Sequence, residues 1–226
     1  MSILQNINSR EDLLRLTDCQ LEQLCAEIRQ FLIEHVAQTG GHLASNLGVV
    51  ELTVALQKVF DTRCDRLVFD VGHQSYVHKI LTGRRDEFST LRCFGGLAGF
   101  PKPSESGDDA FIAGHASNSV SVGLGMARAR TLQKKNYHVI SLIGDGAMTG
   151  GLAYEGLNDA GAANEDMLVI LNDNGMSISE NVGGISTHLQ LIRSKPRYLG
   201  LKIAYRKFTK TKIQVQHFQI AIGMLN

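Results

Sequence analysis

The four cysteines of this chain lack the spacing of a disulfide framework or a zinc site. They form no CxxC pair, and no histidine stands at metal-ligand spacing from them. We therefore predict buried free thiols in a reducing compartment: Cys19, Cys25, Cys64 and Cys93. The sequence also lacks an apolar signal core at its N-terminus and any apolar run of transmembrane length. Together these absences predict a cytoplasmic protein without a membrane partner.

Acidic residues are missing from the C-terminal segment. The net charge is +1 at pH 7, which gives no reason to expect a nucleic-acid partner. Residues 191–226 nevertheless hold eight basic residues and no acidic one: Arg193, Lys195, Arg197, Lys202, Arg206, Lys207, Lys210 and Lys212. The first 190 residues carry the other 15 basic residues and all 22 acidic ones. We interpret the basic tail as a solvated helix, or one that packs on an acidic surface.

Helix-like and strand-like patterns alternate along the rest of the chain. With 43% hydrophobic residues in a total of 226, the chain can bury the core of one large domain. Apolar residues recur at helical spacing after Asp18, and Gly40 and Gly41 end that helix. Further helices are predicted at 49–60, 76–81, 118–133 and 152–162, and strands at 67–70, 111–113, 137–143 and 167–171. Gly123 and Gly125 would let their helix pack closely on the sheet.

This alternation predicts an α/β fold with a doubly wound, mostly parallel sheet and helices on both faces. Right-handed crossovers align the carboxyl ends of parallel strands along one edge of the sheet. Four turns would meet at that edge: 70–73, 114–116, 144–146 and 172–174. Ligands of such folds bind at this edge.

Two of these turns carry oxygen ligands. Asp145 lies in a Gly-Asp-Gly turn, and Asn174 follows it by 29 positions in an Asn-rich turn. A carboxylate and an amide oxygen suit Mg²⁺, which commonly completes its shell with phosphate oxygens and water. Gly146 and Ala147 are predicted to open the next helix, where backbone N–H groups favour a phosphate. Gly-Asp-Gly alone is also a common capped turn, but the second turn favours a magnesium-diphosphate site.

Longer strings around these turns resemble one enzyme family. They are GHLASNLG at 41–48, DVGHQ at 70–74, HKILTGR at 78–84, GGL at 95–97, GH at 114–115, and DN followed by MSISEN between 173 and 181. In this order they resemble the 1-deoxy-D-xylulose-5-phosphate synthases, a family of thiamine diphosphate enzymes. The resemblance runs from about residue 13 to about 191, and less clearly to about 205–211. Residues 1–190 would be its diphosphate-binding domain, and 191–226 a basic tail.

The resemblance implies a role for each matching position. Magnesium would be bound by Asp145, Asn174 and the backbone carbonyl of Met176. The cofactor would contact His73, Gly114, His115, Ala116, Gly146, Ala147 and Asn174. His42 would be catalytic, facing the substrate near the reactive carbon of the cofactor.

The family's reaction condenses pyruvate with glyceraldehyde 3-phosphate, with loss of CO₂, for isoprenoid precursor, thiamine and pyridoxal synthesis. The family is dimeric, so a homodimer is implied for the full-length protein. A second domain of the family binds the pyrimidine of the cofactor and supplies a glutamate, and no part of this chain resembles it. We therefore expect this chain alone to be inactive, or nearly so. Two alternatives stay open: one subunit of a split transketolase-like enzyme, completed by a separate pyrimidine-domain chain, or a non-catalytic magnesium-diphosphate binding module.

Some positions depart from the family or admit a second interpretation. Gly175 stands where the family typically has glutamate, and 116–118 reads Ala-Ser-Asn where the family turn is richer in hydroxyls. His42 and His73 suit proton transfer because a histidine titrates near neutral pH, but each could instead cap a helix or fill the core. His78 and Lys79 are predicted to be structural residues or residues at the rim of the site, and Tyr76 and Phe94 to be packing residues.

Overall fold

A four-stranded sheet forms the centre of the fold. The computed structural model describes residues 2–173, 181–196 and 220–224. The strands are β1 (Arg66–Phe69), β2 (Val139–Gly144), β3 (Leu168–Asn172) and β4 (Ile220–Met224), in the order β1-β2-β3-β4. The first three are parallel, and β4 pairs antiparallel with β3. The strand β4, within the basic tail, was not predicted from the sequence.

Eight α-helices surround the sheet in the described residues. They are α1 (Arg10–Leu14), α2 (Asp18–Thr39), α3 (Leu43–Leu47), α4 (Val50–Val59), α5 (Tyr76–Lys79), α6 (Ser119–Leu132), α7 (Gly151–Ala162) and α8 (Gly184–Ser194). A π turn at Ile80–Arg84 and 3₁₀ turns at Leu4–Asn6, Arg85–Thr90 and Ala147–Thr149 complete them. Within the described residues, no helix combines the length and apolarity needed to cross a membrane.

Alternate residues of the strands pack on opposite faces of the sheet. Leu52 and Leu56 of α4 share one core cluster with five strand residues: Leu67, Phe69, Ile140, Leu142 and Ile170. The intervening residues of β2 and β3 face α6 and α7, where Val120 and Ala153 pack with Ile143. Helices therefore cover both faces, and the predicted α/β fold with its mostly parallel sheet is confirmed.

The long helix α2 lies where the sequence predicts a helix, but its N-cap is one residue earlier than predicted. Thr17, not Asp18, is its N-cap, and Thr17 and Gln20 form a reciprocal capping box. The helix ends at Gly40, whose φ of 74° is a conformation that favours glycine. The predicted apolar stripe is buried at Leu24, Cys25, Ile28, Leu32 and Val36, and its first residue, Leu21, is partly buried. This stripe packs in a core cluster with Tyr76 and Phe88.

Several predictions of burial are wrong. Residues 111–113 form no strand, because they pair with no neighbouring strand and Ile112 is 61% exposed. Phe94 is fully exposed rather than packed. Of the four free thiols, Cys25 alone is buried. A short apolar run without a ladder partner or a covering helix does not reach the core.

Only one of the two helix glycines makes the predicted close contact with the sheet. A Cβ on Gly123 would lie 2.3 Å from Ser141 Oγ of β2, so α6 packs closely there. A Cβ on Gly125 would meet no atom within 4 Å, and the residue is exposed. The prediction for Gly125 is therefore wrong, since it lies on the outer side of α6.

A buried cluster of charged side chains packs beside the sheet, centred on Asp109. This carboxylate accepts hydrogen bonds from both terminal nitrogens of Arg84 (2.8 and 2.9 Å), from His78 Nε2 (2.9 Å) and from the Lys102 N–H (2.7 Å). Lys79, which is fully buried, donates to Glu105 at 2.5 Å. His78 and Lys79 are thus structural residues within this cluster. Burial lowers the pKa of both side chains, against the opposing effect of the nearby carboxylates.

His78 makes stability depend on pH below neutrality. Its Nδ1 lies 2.7 Å from Gln57 Nε2, an amide donor, so Nδ1 accepts and the neutral ring donates from Nε2 to Asp109. Burial lowers the folded-state pKa of His78, so the unfolded chain binds more protons below about pH 6.5. The free energy of unfolding should fall with acidification there, at up to about 1.4 kcal/mol per pH unit.

Urea unfolding at pH 7.5, 6.5 and 5.5 measures this slope. The pKa values of His42 and His73 are also lowered, so they add to it in the same direction. The variant His78→Gln should therefore show a shallower slope, not a flat one. Stability that stays constant or rises between pH 7 and 5.5 would contradict the neutral, buried state of His78.

Candidate functional site at the carboxyl edge of the sheet

The carboxyl ends of β2 and β3 bring two carboxylates to one edge. Asp145 follows β2 and Asp173 follows β3, and both side chains are buried. The N–H of Asp145 donates to the carbonyl of Asn172 at 3.2 Å, which holds the two strand ends together. Asn181 donates its amide to Asp145 Oδ2 at 2.7 Å. The edge therefore presents oxygen donors of the kind that a hard cation prefers.

The other predicted magnesium ligands, Asn174 and Met176, lie outside the described residues, as does Gly175. Among the residues that the structure describes, no three His, Cys, Asp or Glu side chains are grouped as a metal site. The predicted ligand set has a single carboxylate, from Asp145, with an amide and a backbone carbonyl. The described part of the site fits a cation through the chemistry of this carboxylate.

Asp70, at the end of β1, fixes the turn that carries the predicted cofactor contacts. Its side chain is buried and accepts the N–H of Ser117 at 2.7 Å and the N–H of Ser119 at 3.0 Å. Asp70 thus caps α6 from a distant part of the chain, satisfying N–H groups that a helix start leaves unpaired. The turn reaches the sheet edge through this carboxylate, although the predicted strand before it does not form.

Ser117 joins this turn to the segment that follows β2. Its hydroxyl donates to the carbonyl of Ala147 at 2.7 Å. A Cβ on Gly150 would lie 2.1 Å from the same hydroxyl, so the two segments are in close contact. Gly146 and Ala147 open a short 3₁₀ turn rather than the helix α7, which begins at Gly151.

The two predicted backbone contact segments therefore form one surface. The residues Gly114, His115 and Ala116 are exposed, and the φ of Gly114 is 144°. A Cβ on Gly114 would meet no atom within 4 Å, so the turn is open to an approaching group. An exposed backbone turn fixed beside a buried carboxylate fits a diphosphate bound together with a cation.

The two predicted functional histidines lie against each other. The rings of His42 and His73 have centroids 5.4 Å apart at an angle of 68°, and Phe100 lies 6.2 Å from His42. Burial, and then the charge of Arg92, lowers the pKa of His42. Burial, and then His42, lowers the pKa of His73, while Asp70 opposes this. Both imidazoles are therefore neutral near pH 7, which allows each to hold or accept a proton.

His73 has an unusual local environment. Its Nδ1 is buried and has no hydrogen-bond partner among the described residues. It belongs to the turn after β1, in which the Asp70 carbonyl accepts the N–H of Gly72 at 2.6 Å and the amide of Gln74 at 3.0 Å. Asp70 therefore supports the histidine turn through its carbonyl and the 114–117 turn through its carboxylate.

Two residues that organise the site had no assigned role in the sequence analysis: Asp70 and Asn46. Asp70 lies within a recognisable string, but its contact with Ser117 spans 47 positions of sequence. Asn46 hydrogen-bonds the backbone of both histidine turns. Their shared signal is a polar side chain beside a glycine-rich turn.

The fold has the transketolase architecture. Crystal structures of two transketolase mutants from Pichia stipitis match with TM-scores of 0.60 and 0.54, the second in complex with fructose-6-phosphate. They are 21% and 19% identical, and the matches cover 68% and 71% of this chain and 27% and 25% of those chains. At this level of identity the likeness defines the class of fold alone.

The chain belongs to the 1-deoxy-D-xylulose-5-phosphate synthase family. The family model described as 1-deoxy-D-xylulose-5-phosphate synthase matches residues 4–224 of this chain. Synthases from Natranaerobius thermophilus and Alkaliphilus oremlandii are each 58% identical, over 200 and 199 residues. The synthase from Clostridium acetobutylicum is 54% identical over 213 residues. The resemblance seen in the sequence is thereby confirmed, and the family is one of thiamine diphosphate-dependent transferases.

The matches cover nearly all of this chain and a third of its relatives. They include 88% of the chain for the first two synthases and 94% for the third. The same matches span 32%, 32% and 34% of the relatives' own lengths. This chain therefore corresponds to the N-terminal part of the family.

Proposed function

We propose that this chain binds the diphosphate end of thiamine diphosphate, through Mg²⁺, as the N-terminal part of a 1-deoxy-D-xylulose-5-phosphate synthase. The observation that carries the proposal is the buried carboxylate of Asp145: its backbone N–H bonds the end of β3, and the segment that follows it contacts the exposed 114–116 turn through Ser117. A carboxylate in this setting offers a cation its charged ligand, and the turn offers the phosphates backbone donors.

The proposed ligands divide between the described residues and the rest of the chain. Asp145 would bind Mg²⁺ together with Asn174 and the carbonyl of Met176. The diphosphate would contact two backbone segments, 114–116 and 146–147. Their mutual contact through Ser117 supports this, because a preformed surface loses less entropy when it binds.

The histidine pair would act on the substrate side of the cofactor. When bound, thiamine diphosphate supplies the electron sink for removing CO₂ and joining two carbon chains. His42 would hold or move a proton at its imidazole, and His73 would contact the cofactor beside it. Their lowered pKa values keep both rings neutral, and the ring of Phe100 lies 6.2 Å from that of His42.

The remaining assignments extend to the assembled enzyme. We propose pyruvate and glyceraldehyde 3-phosphate as its substrates and a homodimer in the cytoplasm as its working form. The division of this chain into a domain at 1–190 and a basic tail at 191–226 stays a prediction. The family identity favours these assignments over a non-catalytic module.

Calorimetry with thiamine diphosphate tests the magnesium assignment. The change Asp145→Asn keeps the size of the side chain but removes its charge, so magnesium-dependent affinity should fall about 100-fold. Titrations of both proteins with and without Mg²⁺ would measure this. The matched control is Asp159→Asn, an exposed carboxylate of α7 paired with Arg128, which should leave affinity unchanged. Equal affinities for the parent chain and Asp145→Asn would refute the assignment.

A further inference from the structure

We propose that Asn46 is a positioning residue that sets the separation of the imidazoles of His42 and His73. It does so by hydrogen-bonding the backbone of both histidine turns with one buried amide. The significance of this separation for catalysis rests on the proposed function, whereas the positioning itself can be measured without cofactor.

The Asn46 side chain is completely buried and makes three hydrogen bonds, which use both of its N–H donors and its oxygen. Its Nδ2 donates to the carbonyl of His42 at 2.7 Å and to the carbonyl of His73 at 2.8 Å. Its Oδ1 accepts the N–H of Tyr76 at 2.8 Å. One amide thus joins the segment before α3 to the segment between β1 and α5.

The backbone around His42 needs such support because it is intrinsically permissive. Gly40 and Gly41 precede it with φ values of 74° and 140°, which few other residues adopt. The Tyr76 hydroxyl fills the space where a Cβ of Gly41 would stand, at 2.7 Å, and lies 3.4 Å from the His42 N–H. Tyr76 is itself bonded to Asn46, so the contacts of the His42 turn with Tyr76 and with Asn46 lead back to one amide, while the Ser45 hydroxyl adds a local hydrogen bond to the His42 carbonyl at 3.3 Å.

The chemistry of the three partners selects an amide at this position. Two carbonyls require two donors, and the Tyr76 N–H requires an acceptor, which asparagine supplies from one planar group. Aspartate at Asn46 would face two carbonyls with oxygens alone. Alanine would remove the partner of the buried Tyr76 N–H and of the His73 carbonyl, at a substantial free-energy cost, and would leave the His42 carbonyl with the Ser45 hydroxyl at 3.3 Å.

Asn46 acts through the histidines because its buried amide contacts their backbone and not the site surface. Its loss should let the two turns separate and admit water between the rings. Two like charges about 5 Å apart at a partly solvated site change a protonation equilibrium by about tenfold. Separation and hydration would therefore both favour protonation of the second imidazole of the pair.

The test follows the histidine ring protons by NMR from pH 8 to pH 5 in the 226-residue chain. Signals are assigned with His42→Gln and His73→Gln. In Asn46→Ala, protonation of the pair should become easier, by up to about tenfold for the second step. Titration curves for both rings that match those of the parent chain would overturn the proposal.

A control separates positioning from general loss of stability. Gln57→Ala removes another buried amide, which bonds His78 outside the site. It should lower stability without shifting the titration of His42 or His73. If Gln57→Ala shifts these titrations as much as Asn46→Ala does, the specific role of Asn46 is refuted.

Two further measurements distinguish the failure of this proposal from a failure of the variant to fold and from a failure of the proposed function. If Asn46→Ala does not fold, the Asn46 side-chain amide protons of the parent chain decide the question: slow exchange with solvent supports the proposal, and fast exchange overturns it. The Mg²⁺ dependence of thiamine diphosphate binding should persist in Asn46→Ala, since Asp145 is untouched, although displacement of His73 should weaken the affinity itself. Failure of the parent chain to bind the cofactor would refute the proposed function and leave the titration test of Asn46 intact.

Discussion

Replacing Asp109 by alanine should lower the free energy of unfolding by about 3–5 kcal/mol, because it removes one partner from a buried ion cluster. Asp109 is 4% exposed, and Arg84 donates to it with two nitrogens. Its removal takes away the two-nitrogen hydrogen-bond partner of the buried Arg84 guanidinium, which must then share Glu105, 3.6 Å away, with the fully buried Lys79. It also removes the acceptor of the His78 ring.

The pKa of Asp109 supports the direction of this effect. Burial alone would raise that pKa, but hydrogen bonds from His78 and Arg84 lower it well below the ordinary range of a carboxyl. The folded state therefore favours the ionised form, and this contribution is present above about pH 4 and lost as the pH falls further. The free energy of unfolding should therefore fall again below about pH 4, in a step separate from the decrease that the histidines cause below about pH 6.5.

Urea unfolding near pH 7.5 measures the effect, and Asp86→Ala is the matched control. Asp86 also lies beside an arginine, Arg85, but its side chain is 81% exposed. Water replaces that interaction, so the control should leave stability nearly unchanged. If Asp109→Ala and Asp86→Ala both leave the free energy of unfolding nearly unchanged, the buried hydrogen bonds of Asp109 do not stabilise the fold as predicted.

The Asp109 cluster also affects the functional site through a loop. The N–H of Ala98 donates to Glu105, and that of Lys102 donates to Asp109. Between them lies Phe100, whose ring approaches His42. Glu105 and Asp109 therefore hold the backbone on both sides of Phe100.

The carboxyl edge of the sheet could be predicted because its signals are local. The strands β2 and β3 are continuous apolar runs, and a polar turn follows each one. Parallel pairing then brings Gly144 opposite Asn172, which places Asp145 and Asp173 side by side. Periodicity and turn chemistry were sufficient for this part of the site.

The contacts that join separate turns could not be predicted in the same way. The run at 111–113 has strand-like composition, but a strand also needs a partner, and in the described part of the chain the sheet ends at β1. The turn after it is held instead by Asp70, from 47 positions earlier in the sequence. Asn46 and His73 are likewise 27 positions apart. Such pairs have no periodic signal, because tertiary packing alone brings them together.

Gly72 shows how little room the histidine turn allows, and Gly72→Ala should lower the free energy of unfolding by about 2–5 kcal/mol. The φ of Gly72 is 89°, and Val71 before it also has a positive φ, of 60°. An added Cβ would lie 2.5 Å from Pro101 Cδ and 2.7 Å from the Cβ of Ala113. Backbone strain and overpacking each contribute about 1–3 kcal/mol. Neither neighbour can rotate away, because a proline ring and an alanine methyl move only with the backbone.

The matched control for Gly72→Ala is Gly125→Ala, which should change stability in the opposite direction. Gly125 lies on the exposed side of α6, and a Cβ there meets no atom within 4 Å. Alanine at such a helix position typically stabilises by about 0.5–1 kcal/mol. Urea unfolding of both variants gives the comparison, and the NMR titration of His73 shows whether the turn has moved. A Gly72→Ala protein as stable as the parent would mean that the turn can relax away from Pro101, and that Gly72 does not fix the position of His73.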